Sequence, residues 1–159
     1  MKKTILSIMV TASVALSAHA QTASNASGMQ EVNDFLKKCG HYFIATMEGD
    51  QPRVRPFGTV HIFEGKLYIQ TGKAKKVVKQ ITVNPKIEIC AFDGDKSWIR
   101  IQAVATEDNR REVKQSLLDA YPDLKSMYSA DDNKTQVYYL KEATAYISSF
   151  SGETRVIKF

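Results

Sequence analysis

The 159-residue chain has few of the residues that build metal sites and disulfide frameworks: two cysteines, three histidines and one tryptophan. Cys39 and Cys90 cannot supply the dense cross-links of small secreted domains. Free thiols are the favoured prediction, with a Cys39–Cys90 bridge as the alternative, and Cys90 is expected to be buried in an apolar strand. His41 and His61 belong to no spaced cluster, so no zinc site is expected, because zinc needs three or four ligands.

The chain also lacks an apolar run long enough to span a bilayer comfortably. The main candidate, Ile5–Leu16, follows Lys2 and Lys3 and precedes the small-x-small sequence Ala18-His19-Ala20. This arrangement is typical of a secretory signal peptide. We therefore expect residues 1–20 to be removed, with export to a bacterial periplasm and no membrane anchor left. The formal net charge of +5 is modest and its basic residues are clustered, which argues against a nucleic-acid partner.

The remaining chain is predicted to be a flexible leader over residues 21–28 and one domain over residues 29–159. Apolar spacing and stop residues predict helices at Met29–Lys38, Lys75–Val83 and Asn109–Ala120. Alternation predicts strands at His41–Met47, Pro52–Phe63, Lys66–Thr71, Lys86–Phe92, Ser97–Thr106, Gln136–Ser149 and Thr154–Phe159. Short strands joined by tight turns indicate a mainly β fold, a barrel with helical insertions.

Basic residues converge on the turn between the third predicted strand and the helix that follows it. Arg53 and Arg55 share one strand face, and guanidinium groups bind phosphate oxygens with two parallel hydrogen bonds. At the helix start, cations oppose the macrodipole, so an anion bound there would relieve the conflict. The sequence there offers a hydroxyl, an open backbone and lysines, namely Thr71, Gly72, Lys73, Lys75 and Lys76. We predict a site for a phosphate-bearing ligand, without the P-loop pattern of nucleotide hydrolases.

Other interpretations stay open from residue chemistry alone. The lysines fit a solvated helix face, and the arginines fit pairing with acidic neighbours. Trp98 and Arg100 share a strand face. They would suit a planar ring, or else they are an interface or core tryptophan beside a surface arginine. His61 lies on the predicted strand face of Arg55, where it is either a haem ligand or a hydrogen-bonded surface or interface histidine.

The chain resembles a small member of the pyridoxamine 5′-phosphate oxidase-like, FMN-binding split-barrel family. The resemblance rests on the order and spacing of four segments: GDQPRVRPFGTV, FEGKLYIQTGKAKKVVKQITVNPKIEICAF, SWIRIQAVATED and TAYISSFSGE. It covers nearly all of residues 29–159. It implies a six-stranded antiparallel split barrel and a homodimer with two FMN molecules at the subunit interface.

The resemblance also implies roles for individual residues. Arg55 is the best match for the phosphate-binding arginine, with Arg53 second, while Pro56 and Phe57 would lie along the flavin. The phosphate end would be held by Thr71, Gly72, Lys75 and Lys76. Trp98 stands where larger members often place a polar flavin contact, and Arg100 on the same strand face would compensate near the pyrimidine end.

The expected function is an exported FMN-binding protein, an FMN-dependent oxidoreductase of unknown substrate. Vitamin B6 oxidation is not expected, because the chain shows no C-terminal arginine–histidine motif of the kind that binds the substrate phosphate in true pyridoxamine 5′-phosphate oxidases. Two alternatives remain: a haem-binding or haem-handling barrel that uses His61, and a flavin carrier or sensor without enzymatic activity.

Overall fold

The computed structural model describes residues 25–159, so the predicted signal peptide and residues 21–24 of the predicted leader lie outside the described part. Helix α1 covers residues 25–39, so residues 25–28, placed by composition in the leader, are helical. The helix packs closely on the last strand, since a Cβ at Gly28 would lie 2.5 Å from Cγ2 of Ile157. This packing outweighs the weak helix propensity of a small, polar segment.

Eight strands of different lengths form one antiparallel sheet. They are β1 Tyr42–Glu48, β2 Gln51–Phe57, β3 His61–Phe63, β4 Lys66–Gly72, β5 Lys86–Phe92, β6 Ser97–Glu107, β7 Thr135–Ser149 and β8 Gly152–Lys158. Helix α2 covers Lys76–Val83 between β4 and β5, and helix α3 covers Arg111–Ala120 between β6 and β7. A short 3-10 helix, Pro122–Ser126, follows α3. The predicted elements are therefore present, with one change in the second predicted strand.

The predicted single strand Pro52–Phe63 is wrong, because the chain leaves the sheet between β2 and β3. Thr59 and Val60 are buried in this break. The backbone of the break is bound by a side chain, because the Tyr42 hydroxyl donates to the carbonyl of Thr59 at 2.5 Å. Alternation along the sequence continues smoothly through Gly58, so it gives no indication of the break.

The sheet order is β2-β1-β5-β6-β7-β4-β3, and β8 pairs with β7 beside this path. Because its two ends, β2 and β3, are consecutive in the chain, the sheet curls round and its ends meet without a ladder between them. This is a split barrel. The expected number of six strands is corrected to eight, since the break gives two short strands and β8 adds an edge.

Strand β7 is the longest strand and pairs with three others: β4, β6 and β8. It changes partners near Glu142, which has a left-handed φ of 54°. The register with β6 shifts at the same level, between Gln102 and Val104. The kink lets the first half of β7 close the barrel while the second half carries β8.

Two apolar clusters stabilise the fold. The larger fills the barrel and extends under α1 and α2, with Leu36, Ile44, Ile69, Ile89 and Ile101 fully buried. The smaller lies outside β4 and β7, where α3 covers Tyr68 and Val137 with Val113 and Leu117. Within residues 25–159, no helix has the length and apolarity needed to cross a membrane.

Both cysteines are free thiols. Cys39 is half-buried, but Cys90 is exposed, so the expectation of a buried Cys90 is wrong. The apolar run that contains it is a strand of which only one face is buried, through Ile87, Ile89 and Ala91. Cys90 lies on the opposite, outer face between Phe43 and Arg100 on the neighbouring strands.

The left-handed conformation of Glu142 generates a stability prediction. Glu142→Gly is expected to raise the free energy of unfolding by up to about 1 kcal/mol, because glycine adopts this φ without steric strain. The ion pair that is lost, to Lys141 at 3.4 Å, is exposed and contributes little. Urea unfolding measures the change.

Lys141→Gly is the matched control, since Lys141 precedes the kink and no left-handed φ is recorded for it. It is expected to lower stability by roughly 0.5–1 kcal/mol. Equal destabilisation by both glycine substitutions would contradict the assignment of strain to Glu142.

Candidate functional site

A cleft of about 520 Å³ opens at the split in the barrel, where β2 and β4 are not joined by a ladder. Its volume lies within the range of small-molecule sites. Three walls form it: the end of β2 with the break that follows it, the end of β4 with the turn into α2, and the segment around the 3-10 helix. The predicted residues in these walls are Arg55, Pro56, Phe57, Thr71, Gly72 and Lys75.

Arg55 is held at the cleft by a network of neutral acceptors. Its Nη1 donates to Oγ1 of Thr46 at 2.6 Å and to the carbonyl of Ile44 at 3.2 Å. Its Nη2 donates to Oε1 of Gln80 at 2.7 Å, and Thr46 donates to the same oxygen at 2.7 Å. Thr46 and Gln80 are buried, so the position of the guanidinium is fixed by the barrel interior and by α2.

No carboxylate pairs with Arg55 among the described residues. Burial lowers its pKa below the ordinary value, and the nearby charge of Arg53 lowers it further. A lowered pKa means that the protein disfavours this charge where it lies. The charge of Glu48 opposes this shift in part, so the guanidinium is without a carboxylate at ion-pair distance but not without a nearby negative charge.

Arg53 behaves differently. Its Nε donates to Glu48 at 2.7 Å in an exposed ion pair. With Lys76 it lines a second recess, of about 380 Å³, which shares Arg55 and Lys75 with the main cleft. Pairing with acidic neighbours, the simpler interpretation of the arginines, is thus correct for Arg53 but not for Arg55.

The start of α2 adds positive potential to the same end of the cleft. Lys75 occupies the N-cap, no side chain caps the helix, and the first turn contains no acidic residue. Lys73 donates to the neutral Oδ1 of Asn133 at 2.6 Å. Uncapped amides and lysines at one helix terminus are the arrangement that binds anions.

The opposite wall is aromatic and apolar. Tyr121 is anchored by its hydroxyl, which donates to the carbonyl of Val60 at 2.8 Å and accepts from its amide at 2.9 Å. Beyond it, Leu124 and Tyr128 are half-buried and Met127 is 59% exposed at the rim. The cleft therefore has a cationic end and an apolar side, which suits a ligand that carries both an anion and a ring.

Gln70 also lines the cleft, and it was not among the predicted site residues. Its side chain is 7% exposed, and its Nε2 has no hydrogen-bond partner in the described structure. An unpaired buried amide is costly, so this donor is a candidate ligand contact. The available indication in the sequence was a glutamine that directly follows the apolar run LYI in the strand LYIQTG.

Trp98 and Arg100 are not brought to this cleft. Both belong to β6 and lie on the outer face of the sheet. The Trp98 ring packs on Phe150 with 5.3 Å between centroids. Arg100 lies 3.6 Å from Glu88 and stacks over Tyr146. Their predicted role in flavin binding would need a second copy of the chain.

His61 lies away from Arg55, because the break between β2 and β3 interrupts the predicted common face. Its Nε2 is 2.8 Å from Oγ of Ser116 on α3. His61 lines a separate recess of about 530 Å³, which contains the charged residues Arg111, Glu112 and Asp119. Within residues 25–159, no group of three or more metal-ligating side chains comes together.

The comparison with protein families supplies the identity. A family model described as pyridoxamine 5′-phosphate oxidase matches residues 29–147. The chain belongs to the pyridoxamine 5′-phosphate oxidase family. The matched segment includes the whole cleft. No curated protein matches the chain.

Solved structures agree with membership in the oxidase family. A NimC/NimA family protein from Clostridium acetobutylicum is 45% identical with a TM-score of 0.84, over 89% of this chain and 99% of that one. A second protein from that organism, related to general stress protein 26 and of the pyridoxine phosphate oxidase family, is 17% identical with a TM-score of 0.60, over 84% and 96% of the two chains. A haem-binding protein from Mycobacterium smegmatis is 13% identical with a TM-score of 0.64, over 82% of this chain and 57% of that one. The last two show the fold alone.

The environment of His61 generates a pH prediction. Burial lowers its pKa below 6.5, and Lys37 lowers it further. As the pH falls through the ordinary value, the unfolded chain binds the proton first, so folding stability is lost on acidification. His61→Gln, which keeps a hydrogen-bonding partner for Ser116, is expected to reduce the loss of stability between about pH 7.5 and 5.5.

His41→Gln is the matched control, since the His41 side chain is exposed. Chemical denaturation of the three proteins at both pH values gives the comparison. An identical pH dependence in wild type and His61→Gln would show that His61 titrates alike in the folded and unfolded states.

Proposed function

We propose that this protein binds FMN at the split of the barrel and acts as a flavin-dependent oxidoreductase. The observation that carries the proposal is Arg55, a positioned guanidinium with neutral partners at the cationic end of a cleft. Membership in the oxidase family supports FMN as the anion-bearing ligand. The substrate is not specified by the site.

The residues of the cleft fit the two parts of FMN. Arg55 and Lys75 would hold the phosphate together with the uncapped amides of α2 and the Thr71 hydroxyl. Phe57 and Pro56 would pack along the flavin, and the unpaired Gln70 amide would donate to one of its acceptors. Bound FMN supplies the electron-transfer chemistry, while the protein binds and orients it. Asp123 is the one carboxylate among the residues that line the cleft, so no acid–base pair is assigned.

A flavin carrier or sensor needs the same cleft and is the second form of this proposal. Turnover separates the two: a carrier retains FMN but shows no electron transfer with any donor–acceptor pair. The signal-peptide pattern of residues 1–20 supports a periplasmic protein, whose reductant would come from a partner in that compartment.

Haem is the weaker alternative. The haem-binding protein from Mycobacterium smegmatis shares the fold, which motivates the comparison. In this chain, however, His61 is hydrogen-bonded to Ser116 and lies beside charged residues rather than in an apolar pocket. Haem ligation would require that hydrogen bond to break.

We also propose a homodimer formed by the outer face of the sheet. A row of paired positions crosses six strands, from Pro56 through Phe43, Cys90, Arg100 and Tyr146 to Val156. Flanking it are Val54 and Phe92, which are 64% and 49% exposed. Contiguous exposed apolar surface is typical of an interface. Pro56 belongs both to this row and to the cleft, so a second copy would bring its outer face next to the ligand.

The dimer is tested by Phe43→Glu. A carboxylate at this position of the row would be buried in the proposed interface without a partner charge, so the variant is expected to be monomeric. Light scattering after size-exclusion chromatography measures the mass at micromolar concentration. Val83→Glu is the control, because Val83 is an isolated apolar residue, 85% exposed at the end of α2. A dimeric Phe43→Glu variant, or a monomeric wild type, would contradict the interface.

Ligand identity is tested by incubating the protein with FMN or haem, desalting it and recording the absorbance spectrum. A retained flavin spectrum is expected, and Arg55→Ala should weaken FMN binding by more than about tenfold. Lys96→Ala removes the same charge from an exposed turn outside the cleft and should leave the affinity unchanged. A Soret band without flavin would support haem, and FMN affinity that is unchanged in Arg55→Ala would remove Arg55 from the site.

A further inference from the structure

Tyr128 lies at the cationic end of the cleft, although it comes from the opposite wall. It follows the 3-10 helix and lines the cleft with Gly72 and Lys75. A Cβ added at Gly72 would lie 3.1 Å from the Tyr128 hydroxyl oxygen and 3.7 Å from Cε of Lys75. The absence of a side chain at Gly72 therefore lets the phenol and the lysine side chain reach the same place.

Among the described residues, no group pairs with the hydroxyl of Tyr128; its backbone amide donates to the carbonyl of Leu124, and the residue is half-buried. Tyr121, at the other end of the same wall, uses its hydroxyl for two hydrogen bonds to Val60. Tyr121 thus has a structural role that Tyr128 lacks. The Tyr128 hydroxyl is therefore free to donate to an acceptor that enters the cleft.

We infer that Tyr128 donates its hydroxyl to the ligand phosphate and makes the cleft select phosphorylated over unphosphorylated flavin. This inference rests on the proposed function. The phenol would join Arg55 and Lys75, so that donors from three separate segments surround one anion. Hydrogen bonds to a charged acceptor are stronger than neutral ones. Riboflavin, which has the same ring but no phosphate, would gain nothing from them.

The test compares FMN and riboflavin binding by flavin fluorescence in the full-length wild-type protein and in Tyr128→Phe. The expected result is an FMN Kd raised roughly tenfold in the variant, with the riboflavin Kd unchanged. Tyr139→Phe is the matched control. Tyr139 is also half-buried, but its ring lies under Lys66 outside the cleft, so the Kd values of both flavins are expected to stay unchanged in the control.

Gly72→Ala provides a second variant, since the added methyl group would displace the Tyr128 hydroxyl without removing it. It should also weaken FMN more than riboflavin, and it carries the test if Tyr128→Phe does not fold by circular dichroism.

The outcomes separate this inference from the proposed function. If wild type binds FMN and Tyr128→Phe binds it equally well, or loses FMN and riboflavin in equal measure, Tyr128 does not contact the phosphate. If wild type binds neither flavin, the proposed function is wrong, and the inference about Tyr128 is wrong with it. Wild type that binds both flavins with the same Kd would overturn the phosphate selectivity itself.

Discussion

The candidate site depends on a cation that the protein positions but does not neutralise. Arg55 receives oxygen partners from Ile44, Thr46 and Gln80, all uncharged, while the nearest carboxylate, Glu48, pairs with Arg53. Partial burial of a charge is unfavourable unless a counter-charge or several dipoles compensate it. Neutral acceptors fix the guanidinium in place, and no carboxylate lies at ion-pair distance from it among the described residues. The start of α2 is similar, because its positive end has no side-chain cap and no acidic residue in the first turn.

The opening of the barrel gives this cation access to a ligand. Between β2 and β3 the chain turns inward, and the tyrosine hydroxyls of residues 42 and 121 bind the backbone of Thr59 and Val60 from two sides. The polar backbone of the break is thus satisfied without a strand partner. The space left between β2 and β4 becomes the cleft, and the same inward turn sends His61 towards α3.

The sequence pattern predicted those features of the fold that depend on residues close together in the chain. Alternation placed Arg55 and Phe57 on one face of the second strand, and both line the cleft; the binding of an anion beside the lysines before α2 stays a prediction. The break in the second strand was not predictable, because Gly58 fits the alternation and the break is stabilised by contacts from distant tyrosines. Gln70 and Tyr128 were missed for a related reason: each is unremarkable in its own segment and becomes informative only when the fold shows that it lacks a partner. Cys90 was misplaced because an apolar strand need not be buried on both faces.

The pairing of β7 also constrains the order in which the chain can fold. This strand supplies the ladders to β4, β6 and β8, yet it begins at residue 135. The ribosome must therefore synthesise most of the chain before β4 gains its partner and the barrel can close. Until then the inner faces of β1, β5 and β6 have no complete core against which to pack. Such long-range pairing slows folding and prolongs the exposure of apolar strands. The barrel thus closes late, and the apolar faces of its earlier strands stay without their full core until β7 is in place.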